Sequence, residues 1–335
     1  MPDSNPATGT DVVLVDGYVP VIGLDRAGPH DPIRRGAVVR ALAKACETSG
    51  FFVVAEHGVP QETITGLHRL AREFFGWPDR AKQLVANDPV DLLQLGYCAY
   101  DGIEMFSASR LGEPGAVADD GSASPNRRPD MPGLRETCLA YYDAVGTLAL
   151  EITRLLATAL GLSEGWFDDK FDHHMTPLGI DYYPPLSEPA PPGALRIADH
   201  TDFGTATLLQ QDDAPGGACR SWTARATGRT SPSIPGTFVV NLGRLMTTRA
   251  NDRWLSTRHR VVCPPADECH RDRISIAFLL QPNADALISC IPTCADERSP
   301  ARHREVASGD YFAARARRVY VQHLMRHASA PGAPE

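Results

Sequence analysis

Two histidines and an aspartate are spaced along this chain in a way that suits a metal centre. His200 and Asp202 follow a strand-type segment, 195–198, and His259 lies inside another one downstream. Side chains alternate along a strand, so His200 and Asp202 are expected on one face. Two imidazoles and one carboxylate can occupy one face of an octahedral iron(II) and leave three positions open. Three open positions suit a bidentate 2-oxoacid together with dioxygen.

The His-x-Asp spacing is a weak signal on its own. With 11 histidines in the chain, about one such pair is expected by chance. A second copy does occur at His270 and Asp272, in the polar stretch ADECHRDR, with no strand-type pattern before it. We interpret that copy as solvated surface and assign the metal to the first copy and His259.

A strand-type run after His259 carries a second chemical signal. Arg273 and Ser275 alternate with apolar residues, so both are expected on one face of a buried strand. A buried arginine needs an anionic partner. Its planar fork matches a carboxylate, and the serine hydroxyl can add a hydrogen bond. The distal carboxylate of 2-oxoglutarate is one candidate partner, and a structural Arg–Glu pair with a coincidental serine is the alternative.

Hydrophobic periodicity predicts the elements that must position these residues. Helical spacing covers 33–49, 64–77 and 134–160, with Gly161 ending the longest helix, and a last helix follows Ser308. A short buried strand is predicted at 51–54. Short strand-type runs then occupy the second half of the chain, at 178–184, 194–200, 204–210, 237–242, 257–263 and 273–280. Such a series favours an α+β fold with a barrel or double-sheet jelly roll.

The predicted organisation is one catalytic unit in four parts. We expect a polar N-terminal tail at 1–17, a mainly helical region at 18–174, a β core at 175–296, and a C-terminal helix and tail at 297–335. The segment 107–131 is rich in Gly, Pro, Ser and charge, so a mobile loop is expected there.

Composition excludes several classes of function. The net charge of −8 argues against a general nucleic-acid binder, which would carry a basic patch. The first 15 residues contain no apolar core of the signal-peptide type, and no apolar run approaches a membrane span. Eight cysteines without a CxxC pair favour reduced thiols. We therefore expect a cytoplasmic protein.

Other histidines and cysteines fit structural roles better. His57 follows a buried strand in an EHGV turn, where a hydrogen-bonded structural histidine is expected. His173 and His174 lack a carboxylate at metal-ligand spacing. The spacings Cys290-x-x-x-Cys294 and Cys263/Cys269 do not match zinc sites.

Taken together, these residues match a known family. The chain resembles the isopenicillin N synthase-like branch of the iron(II)/2-oxoglutarate-dependent dioxygenases. The matching segments, in order, are VPVIGL (19–24), SGFFVVAEHGVP (49–60), IDYYPP (180–185), HTDFGTATLLQQDDAPGG (200–217), IPGTFVVNLG (234–243), WLSTRHRVV (254–262) and DRISIAFLLQP (272–282).

The resemblance implies a double-stranded β-helix core that holds Fe(2+) through His200, Asp202 and His259. It also implies that Arg273 and Ser275 bind 2-oxoglutarate. By the same resemblance, Tyr183 contacts the carboxylate of 2-oxoglutarate nearest the metal. Dioxygen is the second co-substrate, and ascorbate is a candidate stimulant.

One position and two segments depart from the family pattern. Asp181 stands where the family usually has Asn. The segment 244–251 (RLMTTRAN) begins with Arg244, where the family usually has Asp and continues to a Trp-Thr-Asn. The segment 218–233 (ACRSWTARATGRTSPS) is basic and irregular. These departures leave the metal ligands intact and concern the shape of the substrate pocket.

The expected activity is hydroxylation of a small polar metabolite in bacterial-type secondary or antibiotic metabolism, with release of succinate and CO2. Desaturation or ring closure would use the same residues. A zinc-dependent hydrolase and a cupin-like binding module are the alternatives from other classes, and neither gives Arg273 and Ser275 a task. The expected partner is a free small molecule, without nucleic acid or membrane.

Overall fold

The described residues of the computed structural model are 13–15, 19–24, 32–88, 93–100, 102–113, 125–212, 219–222, 228–230 and 234–328. Among them are six α-helices: α1 (Pro32–Thr48), α2 (Gln61–Phe75), α3 (Asp79–Lys82), α4 (Leu134–Ala159), α5 (Arg244–Arg249) and α6 (Ser308–Ala328). Short 3-10 turns lie between several of them. The three long predicted helices and the C-terminal helix are thereby confirmed.

Most strands belong to a large, mixed sheet that we call the major sheet. Its order is β1 (Val13–Val15), β2 (Val19–Gly23), β3 (Phe51–Ala55), β11 (Phe238–Leu242), β8 (Ala206–Gln211), β13 (Arg273–Leu280), β6 (Pro177–Tyr183), β5 (Ile103–Ser109) and β4 (Gly96–Tyr100). All neighbouring pairs are antiparallel except β2 with β3.

A second sheet, the minor sheet, faces the inner side of the first. It contains β10 (Gly228–Thr230), β9 (Cys219–Trp222), β12 (His259–Val262) and β7 (Leu195–His200), in that order. A small pair, β14 (Leu287–Ile288) with β15 (Val306–Ala307), lies apart from both. The two larger sheets form the jelly-roll core that the sequence predicts.

Helices cover the outer face of the major sheet. Strand β13 is buried on both faces, so Ile274, Ile276 and Phe278 point to the helices while Arg273 and Ser275 point inward. The outer side chains share one apolar cluster with α1, α2 and α4. Its removal from water is the main stabilising contribution to the fold. The inner face is therefore left for the chemistry.

The space between the sheets contains a small apolar group, which we call the interlayer cluster. It consists of Ile103 and Tyr183 from the major sheet and Val261 from the minor sheet, with Met105 and Ile197 packed against them. Side chains from both layers meet here.

The N-terminal region contains more strand than predicted. Strands β2 to β5 lie within 18–174 and join the same sheet as the core, so the major sheet crosses the expected boundary at residue 174. Val13–Val15 is a strand inside the expected polar tail, and the rest of 1–17 lies outside the described residues.

The expected loop at 107–131 is wrong at its beginning. Residues 107–109 complete β5, and 110–112 form a 3-10 turn. Glu113 then accepts hydrogen bonds from Arg128, Arg135 and Asn126, so the far end of this segment is tied back to its start. Residues 114–124 are outside the described part. In the basic segment 218–233, only β9 and β10 are described.

Within the described part of the chain, no helix combines the length and apolarity that crossing a membrane requires.

Candidate active site

The side chains of His200, Asp202 and His259 come together at one end of the minor sheet. His200 ends β7 and His259 begins β12, and the two residues are directly paired across the strands. Both Nε2 atoms approach the Oδ1 atom of Asp202, at 3.7 Å from His200 and 3.6 Å from His259. One ligand atom from each residue lies within 4.8 Å of the others, so this group could hold a metal ion.

Backbone carbonyls orient both imidazole rings. The Nδ1 atom of His200 lies 2.9 Å from the carbonyl oxygen of Ala198, and that of His259 lies 3.2 Å from the carbonyl oxygen of Thr257. A carbonyl can only accept, so each Nδ1 donates, and Nε2 is the ring nitrogen that faces the cluster and could bind a metal. Burial and the adjacent His259 lower the pKa of His200, which favours the neutral, ligating form.

The Asp202 carboxylate is held from its other side. Its Oδ2 atom accepts a hydrogen bond from Asn241 Nδ2 at 2.7 Å and another from the hydroxyl of Thr207. Burial raises the pKa of Asp202, but the two histidines and these two hydrogen bonds outweigh burial and keep it below its ordinary value. Asp202 is thus ionised at neutral pH, with Oδ1 directed towards the histidines.

Two glycines fix the turn that carries Asp202. A Cβ atom on Gly243 would lie 2.1 Å from the carbonyl oxygen of Gly204, and one on Gly204 would lie 2.6 Å from that of Leu280. This close approach lets the Arg244 amide donate to the Asp202 carbonyl at 2.8 Å at the start of α5. The metal-ligand turn is therefore anchored by backbone contacts that admit no side chain.

Arg273 and Ser275 lie on the inner face of the major sheet, and both are buried. The Arg273 Nη2 atom donates to Gln211 Oε1 at 2.7 Å, and its Nη1 atom has no hydrogen-bond partner. Its guanidinium carbon lies 4.6 Å from the ring centre of Tyr183, directly across from it on β6. Among the described residues, Arg273 forms no ion pair, so a structural Arg–Glu pair does not account for it.

Asp181 lies beside this arginine, opposite Ser275 in the strand register. Burial raises the pKa of Asp181 to about 6, although the positive charges of Arg273 and His200 oppose the shift. The negative charge of Asp202 adds to it. The Asp181 carboxyl therefore interacts electrostatically both with Arg273 and with His200 and Asp202 of the metal-ligand cluster.

The donor sets fit iron(II) and 2-oxoglutarate. Two imidazoles and a carboxylate are the donors that non-haem iron(II) sites use. The buried, unpartnered Nη1 of Arg273 is a donor that a carboxylate would satisfy. Tyr183 stacks under that guanidinium, and its contact with the metal-side carboxylate stays a prediction.

His57 and His174 have structural partners. His57 accepts the Val59 amide at Nδ1, 3.0 Å away, and its Nε2 lies 3.2 Å from the Gly236 carbonyl oxygen. His174 stacks on Tyr142, and burial lowers its pKa to about 4. Asp272 of the second His-x-Asp copy accepts from Arg72 at the surface.

Three residues that the sequence interpretation missed are Thr207, Asn241 and Gln211. Each is a polar residue in a buried strand, and Thr207 and Asn241 are cross-strand neighbours. Buried polar side chains require hydrogen-bond partners. This signal, a polar residue inside an apolar strand, could have identified them.

Models of two protein families match the chain. Residues 19–112 match the N-terminal region of non-haem dioxygenases of morphine synthesis, and residues 176–282 match the 2OG-Fe(II) oxygenase superfamily. Validamycin A dioxygenase of Streptomyces hygroscopicus subsp. limoneus is 30% identical over 287 residues, covering 81% of this chain and 78% of the relative. The 2-oxoglutarate-Fe(II) type oxidoreductase hxnY of Emericella nidulans is 29% identical, covering 83% and 81%.

Solved structures agree with these matches. The crystal structure of a full-length Neurospora crassa protein in complex with alpha-KG and thymine superposes with a TM-score of 0.82 at 25% identity. The match covers 92% of this chain and 99% of that one. Rice dioxygenase for auxin oxidation superposes with a TM-score of 0.73 at 29% identity, covering 91% and 95%. The similarity therefore extends over nearly the whole length of these proteins.

Proposed function

Because the chain belongs to the 2OG-Fe(II) oxygenase superfamily, we propose that it hydroxylates a small polar metabolite, with release of succinate and CO2. The enzyme is a 2-oxoglutarate-dependent dioxygenase that uses Fe(2+), 2-oxoglutarate and O2. One observation carries the proposal. A three-ligand cluster lies opposite a buried arginine whose Nη1 atom has no protein partner.

Each half of the site has a defined task. His200, Asp202 and His259 would hold the iron, and Arg273 with Ser275 would bind the distal carboxylate of 2-oxoglutarate. When bound, iron supplies the oxidation of a substrate carbon by dioxygen at the expense of 2-oxoglutarate. The protein orients the reactants and keeps water away from them. The lowered pKa of His200 and the lowered pKa of Asp202 both favour the forms that bind a metal.

The wall beside the co-substrate residues supports a small, polar substrate. The register of β4, β5 and β6 places Cys98, Met105 and Asp181 in one row that continues to Ser275. Concave binding sites generally take small ligands through a few polar contacts. Validamycin A dioxygenase and the thymine complex of the Neurospora crassa protein name compounds of that size class.

The biological context is a separate part of the proposal. Validamycin A dioxygenase supports antibiotic metabolism, while other relatives come from fungi and plants. We therefore extend the context to specialised metabolism in general. Desaturation and ring closure would use the same residues as hydroxylation, so the identity of the product distinguishes the three reactions.

The experiment measures 2-oxoglutarate-dependent oxygen uptake and succinate release with added Fe(2+), over polar metabolites, peptides and oligonucleotides. We expect stoichiometric succinate with a free small molecule and a product heavier by one oxygen atom. Asp202→Ala should bind no iron and show no turnover while its circular dichroism spectrum is unchanged. Coupled turnover confined to a protein or an oligonucleotide would refute the substrate class and leave the iron chemistry in place.

A further inference from the structure

Gln211 accepts a hydrogen bond from the buried guanidinium of Arg273. Its side-chain Oε1 lies 2.7 Å from Nη2, and both residues are more than nine-tenths buried. Arg273 has no carboxylate within ion-pair distance among the described residues. A buried cation that is held by a neutral amide keeps its full charge, whereas a carboxylate in the same place would neutralise it.

The geometry of this contact leaves one side of the guanidinium for a ligand. Nη2 is occupied by Gln211 and the flat face rests on Tyr183, while Nη1 remains buried and without a partner. We propose that Gln211 is a positioning residue: it orients Arg273 for the distal carboxylate of 2-oxoglutarate and, as a neutral amide, adds no negative charge of its own beside the guanidinium. This inference rests on the proposed role of Arg273 in co-substrate binding.

The backbone of Gln211 is held so that its side chain can do this. Gln211 is directly paired with Ser275 at the end of β8, and its carbonyl accepts from Gln210 Nε2 at 2.6 Å. The next residue, Asp212, accepts from the Ile274 amide at 2.9 Å and from Arg72 of α2 at 2.5 Å. The end of β8 is thus tied to β13 at Ile274 and Ser275, directly after Arg273, and to α2 through Arg72.

The chain provides a matched control in the adjacent residue. Gln210 and Gln211 are neighbours on a strand, so their side chains point to opposite faces. Gln211 meets Arg273 inside the barrel, whereas Gln210 is hydrogen-bonded to His68 of α2 on the outer side. Gln→Glu adds the same charge at either position, but on opposite faces of the strand. Gln210→Glu also removes the hydrogen bond to the Gln211 carbonyl, so this control includes the loss of that backbone contact.

The test is anaerobic calorimetric titration of the Fe(2+)-loaded protein with 2-oxoglutarate and with 2-oxovalerate, which has a methyl group in place of the distal carboxylate. Gln211→Glu should pair with Arg273 and repel that carboxylate. We expect its Kd for 2-oxoglutarate to rise by about tenfold or more, because charge-assisted bonds are the strong ones. The ratio of the Kd for 2-oxovalerate to that for 2-oxoglutarate should fall with it, and Gln210→Glu should leave both quantities within about threefold.

If Gln211 had only a structural role, its replacement should lower the Tm together with the affinity. If it positions Arg273, the new ion pair in Gln211→Glu should leave the Tm unchanged or higher, so affinity falls without a loss of stability. Gln211→Met, which is of similar length and uncharged, should show a smaller loss of 2-oxoglutarate affinity. Unchanged affinity in both Gln211 variants overturns the inference, as does a loss that follows a lower Tm.

A third variant separates this inference from the proposed function. Arg273→Leu should weaken 2-oxoglutarate binding and abolish the preference for it over 2-oxovalerate. If Arg273→Leu binds 2-oxoglutarate normally, the proposed role of Arg273 is wrong. If Arg273→Leu binds 2-oxoglutarate weakly while both Gln211 variants bind it normally, only the proposed role of Gln211 is wrong.

Discussion

Replacing Asp181 by Asn should stabilise the metal-free protein at neutral pH. Burial raises the pKa of this carboxyl from 3.8 to about 6. The ionised form is therefore disfavoured in the folded state, and ionisation costs stability once the pH exceeds the unfolded-state pKa. A shift of about two pH units corresponds to about 3 kcal/mol of unfolding free energy above pH 7. Asn has nearly the same shape and carries no charge, so it removes this cost.

The expected gain depends on pH in a defined direction. The cost of ionising Asp181 is absent below the unfolded-state pKa, grows between the two pKa values and is complete above the folded-state pKa near 6. Asp181→Asn should therefore gain about 3 kcal/mol at pH 7.5 and about 1.5 kcal/mol at pH 5.0. Urea denaturation of the metal-free protein at both pH values measures the two differences.

The exposed carboxylate of Asp285 provides the control for this prediction. Asp285→Asn should change the unfolding free energy by less than about 0.5 kcal/mol at either pH. If Asp181→Asn destabilises the protein at pH 7.5, or if its effect is equal at both pH values, the carboxylate is not the strained group that its burial indicates.

Three further predictions concern the two halves of the site. Asn241→Leu should lower iron affinity by about 10–100-fold, because it removes a hydrogen bond that orients the Asp202 carboxylate; unchanged metal titrations would contradict this. Arg273→Lys should raise the half-saturating 2-oxoglutarate concentration about tenfold or more, since an ammonium cannot reproduce the planar fork. An effect on substrate alone would make Arg273 a substrate residue. Gly243→Ala should lower the unfolding free energy by about 3 kcal/mol or more through its clash with the backbone, whereas Gly66→Ala in α2 should be neutral or stabilising by up to about 1 kcal/mol. Equal effects of the two alanine variants in urea denaturation would refute the clash.

The sequence predicted the elements with strong periodicity well. The six strand runs from 178 to 280 correspond to β6, β7, β8, β11, β12 and β13 within about two residues at each end. Helix α4 occupies Leu134–Ala159, and Gly161 follows it with a positive φ of 75°. Such elements are readable because burial of one face or both imposes a local pattern.

Other features depend on partners that are distant in the chain. Helix α5 has six residues, too few for a periodic pattern, and Gly96–Tyr100 becomes β4 only by pairing with β5. The roles of Asn241 and Gln211 follow from contacts with residues 39 and 62 positions away. Local sequence contains the polar residue but not the identity of its partner.

The interlayer cluster has a consequence for the choice of co-substrate. His200 and His259 lie at the ends of two strands of the minor sheet, whereas Arg273 and Ser275 belong to the major sheet. Val261 and Tyr183 pack between the layers. Facing sheets lie about 10 Å apart, a spacing set by the side chains between them. On the proposed assignment, this apolar packing would set the distance between a bound iron and the guanidinium of Arg273. It would thereby select 2-oxoacids by the number of carbons between their two carboxylates.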